Sequence, residues 1–165
     1  NLRLNLAMQK KILISACLVG KNCRYDGGHS HISDLDETDL NWIPVCPEEA
    51  GGLGTPRPAA EMQEDAENII KGKGSIININ GQDVTQNIFK GAEESLEMGL
   101  MNGVEFAILK SRSPSCGMGQ IYDGTFTGTL KQGDGIFAHL CMKAGIACIS
   151  SDETNQIKKT LSKRK

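Results

Sequence analysis

Three short apolar runs punctuate the chain, and each gives way to a polar, glycine-containing segment. Lys11 to Ala16 (KILISA), Trp42 to Val45 (WIPV) and Val104 to Leu109 (VEFAIL) are largely apolar without strict alternation. A strand covered on both faces reads this way, so the three predict buried parallel strands. Between Asp83 and Met101, the apolar residues Val84, Ile88, Ala92, Leu96 and Leu100 recur every four positions, with Gly99 and Gly103 near the end. That spacing predicts one face of an amphipathic helix. A second helix is expected over Gly135 to Ala144 and a strand over Ile146 to Ile149 (IACI), which continues an alternation of helix and strand. Asn68 to Ile79 departs from the pattern, because its β-branched residues surround Gly72 and Gly74 and predict a hairpin or irregular excursion. The expected fold is α/β: a single-domain, Rossmann-like open sheet, mostly parallel, with helices on both faces and a small hairpin excursion.

Length and composition agree with one domain. A chain of 165 residues, 39% hydrophobic, is long enough to bury a substantial core. We expect the domain over 11–150, a leader or disordered N-terminus over 1–10 with Met8 as a candidate start, and a basic tail over 151–165. The net charge of −2 lacks the basic excess that steers binding to a nucleic-acid backbone. Lys158, Lys159, Lys163, Arg164 and Lys165 are the exception, and a charged chain end reads as a solvated tail. No apolar run approaches the roughly 18 to 20 residues of a membrane span. Asn1 to Lys10 lacks the apolar stretch of a signal peptide, so a cytoplasmic location is expected. Six cysteines in such a chain argue for metal binding, catalysis or burial, since disulfide frameworks belong to small secreted domains.

Each of the three predicted strands leads into a loop carrying a cysteine: Cys17, Cys46 and Cys116. In open α/β sheets ligands bind beyond the carboxyl ends of the strands, so these thiols have a route to one site. Glycine and proline are concentrated in the same loops, at Gly51, Gly52, Gly54, Pro56 and Pro58 and around Pro114, Gly117 and Gly119. The first motif, SACLVGKNCRYDG from Ser15 to Gly27, sets two thiols six positions apart, which is not a zinc-knuckle spacing. In the second, Glu48 follows Cys46 by two residues with Pro47 between them, and in the third, Ser113-Pro114-Ser115-Cys116-Gly117, hydroxyls and glycine surround a thiol.

Together SACLVGKNCRYDG, PVCPEEAGGLGTPR and SPSCG resemble the thiouracil desulfidase family, and the resemblance runs from about Lys11 to Ile149. It implies that Cys17, Cys46 and Cys116 hold a [4Fe-4S] cluster by three of its irons, a cofactor that aerobic preparation can strip. One iron is then left open as a Lewis acid. The implied activity is a non-redox carbon–sulfur hydrolysis that turns a thiolated pyrimidine, 2-thiouracil or a related base or nucleotide, into its oxo form and releases sulfide. Glu48 would activate water, and Ser113 would hydrogen-bond the substrate or relay a proton.

The remaining polar residues admit more than one role. Arg24 suits a substrate carbonyl or phosphate with Asp26 fixing it, or a purely structural pair. Arg57 and Arg112 flank the second and third motifs, either to meet a nucleotide's charge or to be solvated. Cys23 is not required by the family pattern; a fourth thiol on the cluster would close it to substrate. Cys141 and Cys148 are expected to pack as small hydrophobes, and His29 and His31 to be ordinary exposed side chains. A non-catalytic Fe–S or zinc protein, structural or redox-sensing, is the alternative function. A cluster-free enzyme with Cys46 or Cys116 as nucleophile ranks last, because neither motif contains a histidine.

Overall fold

Ile12, Leu13 and Ile14 are fully buried along a strand, β1 (Lys11–Ser15), that is covered from both sides. This computed structural model describes residues 11–36, 38 and 40–162; the expected leader over 1–10 lies outside them, as do Lys163, Arg164 and Lys165. β1 pairs in parallel with β2 (Asn41–Val45) on one side. On the other it pairs with β5 (Phe106–Leu109), which in turn pairs with β8 (Ala147–Ser150), again in parallel. The order β2-β1-β5-β8 puts Pro44 on an edge strand, where a missing N–H is tolerated.

Side chains alternate across the sheet. Leu13, Ala107 and Leu109 meet the helices α3 (Thr85–Met101) and α4 (Ile136–Lys143), whose Ile88, Ala92, Phe137 and Cys141 are fully buried. Ile12, Ile14, Ile108 and Ile149 face the other way, onto Leu18, Leu35 and Ile157. The buried face of α3 comprises Thr85, Ile88, Gly91, Ala92, Ser95 and Gly99, whereas Leu100 is half exposed. A strict four-residue repeat drifts about 40° per step at 100° per residue, so the stripe that starts at Val84 has left the core by Leu100.

Two segments take a more definite form than the sequence predicts. Of the two forms expected for the excursion over 68–79, the structure has the irregular one: Ala66–Ile70 forms a short helix, α2, and only Ile76–Asn78 (β4) is a strand. β4 pairs antiparallel with β3 (Ala60–Met62), a partner too short to show periodicity. The segment read as a basic tail carries a helix, α5 (Thr154–Ser162), anchored by Ile157, which is 2% exposed, and by an ion pair from Lys158 to Asp34 at 3.2 Å. One buried isoleucine outweighs the local charge. A third pair, β6 (Gln120–Tyr122) and β7 (Leu130–Gln132), forms a small antiparallel ribbon after the third cysteine motif. No helix among the described residues is long and apolar enough to cross a membrane.

Candidate active site

Each cysteine loop leaves the carboxyl end of the sheet, and each is fixed by a different device. Cys17 lies in a 3-10 turn (Ala16–Val19) directly after β1, and its carbonyl accepts from the N–H groups of Gly20 (3.3 Å) and Ser30 (2.9 Å). Cys46 directly follows β2 and opens the one-turn helix α1 (Pro47–Ala50), with Pro47 at its first position, where a missing N–H costs nothing. α1 is laid against α3 by glycines: a Cβ on Gly91 would sit 1.7 Å from the Pro47 carbonyl oxygen, and one on Gly51 1.8 Å from that of Asn87. The third loop rests on the start of α4, where the N–H groups of Ile136 and Phe137 donate to the carbonyls of Pro114 (3.0 Å) and Ser115 (2.9 Å). Orphan N–H groups at a helix start thus hold the loop that presents Cys116.

The loops enclose a cavity of about 560 Å³ lined by Cys17, Cys23, Cys46 and Cys116 together with Glu48 and Ser113. Cys17, Cys23 and Cys116 are 6%, 2% and 4% exposed. Cys23 lines the same cavity as Cys17 and Cys46, and its backbone carbonyl accepts from the Cys46 thiol at 3.8 Å, so the fourth cysteine belongs to the site. Its contact with Cys17 is the largest influence pushing the Cys23 thiol up to about 11; contact with Cys23, then burial, raises Cys46. Burial pushes the Cys116 thiol up to about 12, against hydrogen bonding with Ser15 and Ser115. Without a metal these groups keep their protons, which a bound metal must displace.

The donor set, four cysteine thiols around one cavity, has the chemistry that iron–sulfur clusters take. Among the described residues no three His, Cys, Asp or Glu side chains converge closely enough to hold one metal ion. A cuboidal cluster instead takes each thiolate on a separate iron, which suits buried thiols spread around a common cavity.

Beside the thiols runs a chain of hydroxyls ending on an acid. Ser113 Oγ accepts from the backbone N–H groups of Cys116 (2.8 Å) and Ser115 (3.1 Å) and lies 3.0 Å from Ser115 Oγ. Ser115 Oγ in turn donates to Glu48 Oε2 at 3.1 Å. The other carboxylate oxygen of Glu48 accepts from Arg57 Nε at 3.3 Å, and the two side chains are 14% and 7% exposed. Arg57 also donates to the carbonyls of Cys23 (2.8 Å) and Gly54 (3.2 Å) and to Thr55 Oγ1 (3.0 Å), so it braces the first two motifs as well as lining the cavity. Arg24 lines the cavity too, held at Asp26 by Nε (3.2 Å) and an Nη (2.9 Å) and at Ser30 by the other Nη (2.8 Å). Asp26 acts through Arg24 and is exposed; its carboxyl lies below the usual range, first because the Gly28 N–H donates to it and then through Arg24.

Other expectations resolve by position. His31 pairs with Asp36 at 2.7 Å, and His29 accepts from the His31 N–H at 3.2 Å, both exposed. Cys141 is buried in the core and Cys148 packs partly buried against it, its thiol donating to the Ile146 carbonyl at 3.5 Å. Arg112, at the cavity edge, pairs with Asp152 at 3.5 Å. Sequence reasoning missed Ser115 as the bridge between Ser113 and Glu48, although it stood in the quoted motif. It also missed Lys110, on the cavity wall at the end of β5, whose ammonium burial pushes below its usual range.

A parallel α/β domain thus delivers from its strand ends, to one cavity, the thiols that metal–sulfur groups take as ligands and an acid of the kind used in acid–base chemistry. The chain belongs to the 2-thiouracil desulfurase family, whose profile matches residues 12–153. It is similar to the solved structure of TudS, a [4Fe-4S]-dependent thiouracil desulfidase, at 39% identity and a TM-score of 0.82 over 93% of this chain and 98% of that one. It is also 38% identical to the uncharacterized protein YbbK of Bacillus subtilis (strain 168) over 149 residues, covering 88% of this chain and 99% of YbbK.

Proposed function

We propose that the chain is a desulfidase that replaces the sulfur of a thiolated pyrimidine, 2-thiouracil or a related base or nucleotide, with oxygen from water. The observation that carries this reading is one cavity lined by Cys17, Cys46, Cys116 and the hydrogen-bonded Glu48. In the balanced reaction a thiocarbonyl and water give a carbonyl and hydrogen sulfide, and nothing is oxidised or reduced. Cys17, Cys46 and Cys116 would hold a [4Fe-4S] cluster, which when bound supplies a Lewis-acidic iron for sulfur.

The remaining work falls to the side chains. Glu48 Oε2 takes a proton from the water that attacks the thiocarbonyl carbon, while Arg57 fixes the carboxylate plane. Ser113, whose oxygen already accepts two backbone N–H bonds, has its own O–H free to donate to the ring or to Ser115. Protons can then pass between substrate and Glu48 through Ser113 and Ser115. Arg24, fixed by Asp26, meets a ring carbonyl or a nucleotide's charge. All six cysteines are free thiols, which suits the reducing cytoplasm we assign to it.

The test is anaerobic reconstitution with iron and sulfide, followed by assays of sulfide release from 2-thiouracil, 4-thiouracil and a thiouridine nucleotide. Turnover of at least one is expected; a fully loaded protein that turns over none overturns the reading. Glu48→Gln should keep the cluster's visible absorbance while kcat falls about 10²-fold or more. One observation favours a second reading, a closed structural or redox-sensing centre: Cys23, 2% exposed, lines the same cavity as the three ligand candidates. A colourless protein holding one tightly bound zinc, or a cluster that needs Cys23 for assembly, would select it.

A further inference from the structure

Aromatic residues make up only 4% of the chain, yet both tyrosines, Tyr25 and Tyr122, and one of the four phenylalanines, Phe126, line the cavity. Phe126 is there at a cost to its backbone. Its φ of 58° lies in the left-handed region, which an L-residue with a bulky side chain rarely adopts. Such a conformation persists only where its surroundings over-determine it.

The restraint is a single carboxylate from distant sequence. Glu61, on β3, is 8% exposed, and its Oε1 accepts from the backbone N–H groups of both Gly124 (3.0 Å) and Phe126 (3.1 Å). Gln63 adds a bond from Nε2 to the Gly124 carbonyl at 3.1 Å. The fit is close: Gly124 has a φ of 93°, and a Cβ there would lie 2.8 Å from the Met62 carbonyl oxygen. Thus β3 clamps the turn between β6 and β7 in one position and holds Phe126 at the cavity wall. A loop needing only to turn would do so with glycine.

We propose that Phe126 is a binding residue that gives the cavity a flat wall for a planar heteroaromatic ring, and that Glu61 is its positioning residue. The inference rests on the desulfidase reading for the identity of the ring, a thiopyrimidine. Neither residue takes part in the chemistry, so their loss falls on substrate binding and leaves bond cleavage largely intact.

The experiment uses the cluster-loaded enzyme and its Phe126→Ala, Glu61→Ala and Glu61→Gln variants. Each is assayed for sulfide release from the thiopyrimidine that the wild type turns over fastest and for calorimetric binding of the matching oxo product. Removing a stacking partner should raise KM about tenfold, with kcat within about threefold of wild type, and weaken product binding in parallel. Glu61→Ala should act the same way. Glu61→Gln should recover most of the affinity, because a Gln carbonyl oxygen can still accept both N–H bonds. A Phe126→Ala enzyme with unchanged KM and product affinity overturns the inference whatever Glu61 variants do. A wild-type enzyme that turns over no thiopyrimidine overturns the functional reading instead, and calorimetry with uracil would still test the aromatic wall. Should Glu61→Ala fail to fold, Phe126→Ala and Glu61→Gln carry the test.

Discussion

Ser115 sits where three requirements meet: its oxygen bridges Ser113 and Glu48, its N–H bonds Ser113, and its carbonyl caps the start of α4. Only the first depends on the side chain. Ser115→Ala should therefore leave the loop and the Cys116 thiol in place, with a stability loss of about 1–3 kcal/mol for its hydrogen bonds to Ser113 and Glu48. If protons pass through it, kcat should fall about 10²-fold while KM holds. Steady-state kinetics beside a thermal melt would check this, and unchanged kcat would remove Ser115 from the relay. Arg57 is the opposite case, since its nearly buried guanidinium ties Glu48 to the backbone of Cys23. Arg57→Ala leaves a carboxylate without its partner, and breaking such a buried pair costs about 3–5 kcal/mol. Urea unfolding would measure that loss, and a change below about 1 kcal/mol would mean the pair is effectively solvated.

At the level of elements, the site depends on how closely α1 lies on α3. Gly91 is in the middle of a helix, where propensity alone favours Ala by about 1 kcal/mol. A Cβ there would lie 1.7 Å from the Pro47 oxygen and 2.6 Å from the Gly51 nitrogen, both backbone atoms that cannot turn aside. Packing should win: Gly91→Ala should destabilise by about 1–3 kcal/mol or more and displace Cys46 and Glu48, lowering iron retention as well as melting temperature. A variant more stable than wild type would show that α1 can shift. The start of α3 carries a pH-dependent contribution. Asp83 accepts from the Thr85 hydroxyl and N–H, and Thr85 Oγ1 accepts from the buried Ile76 N–H at 2.8 Å, joining helix to β4. The Thr85 hydroxyl first, then its N–H, holds the Asp83 carboxyl below its usual range. A depressed folded-state pKa stabilises above the unfolded value near pH 4 and is lost as pH falls through the folded one. Asp83→Asn should thus be less stable than wild type at pH 7, by under about 1 kcal/mol because solvent screens the site. The gap should close toward pH 2, as urea titrations at the two pH values would show. The four sheet strands and the helices α3 and α4 were legible from the sequence because burial on both faces or on one stripe leaves a pattern. The three-residue strands β3, β4, β6 and β7 were not, since a strand that short has no period to read.

At the scale of the whole molecule, the three ligand candidates enter the site from β1, β2 and the loop beyond β5, so the site exists only when the sheet does. Cys17, Cys46 and Cys116 could be read from sequence because motif and strand end coincide in each. Glu61 and Phe126 could not, because they are 65 residues apart and meet only through the packing of two ribbons. Cys23 was visible as an ambiguity, and its place on the cavity wall beside Cys17 and Cys46 turns on side-chain directions that no motif encodes. The same topology makes cofactor loading a folding interaction, since a group held by three separate strands binds the native chain and not the unfolded one. At about 1,000 times its dissociation constant a ligand adds about 4 kcal/mol, which for a chain of this size raises the melting temperature on the order of 10 °C. Reconstituted protein should show that shift over the metal-free form in anaerobic scanning calorimetry. Cys46→Ala should abolish the shift. Cys141→Ala, which opens a void in the core, should lower both melting temperatures and keep the difference between them. Cys23→Ala decides the remaining ambiguity on the same scale: a preserved shift means three thiols suffice and the fourth iron is free for substrate, and a lost shift means the centre is closed.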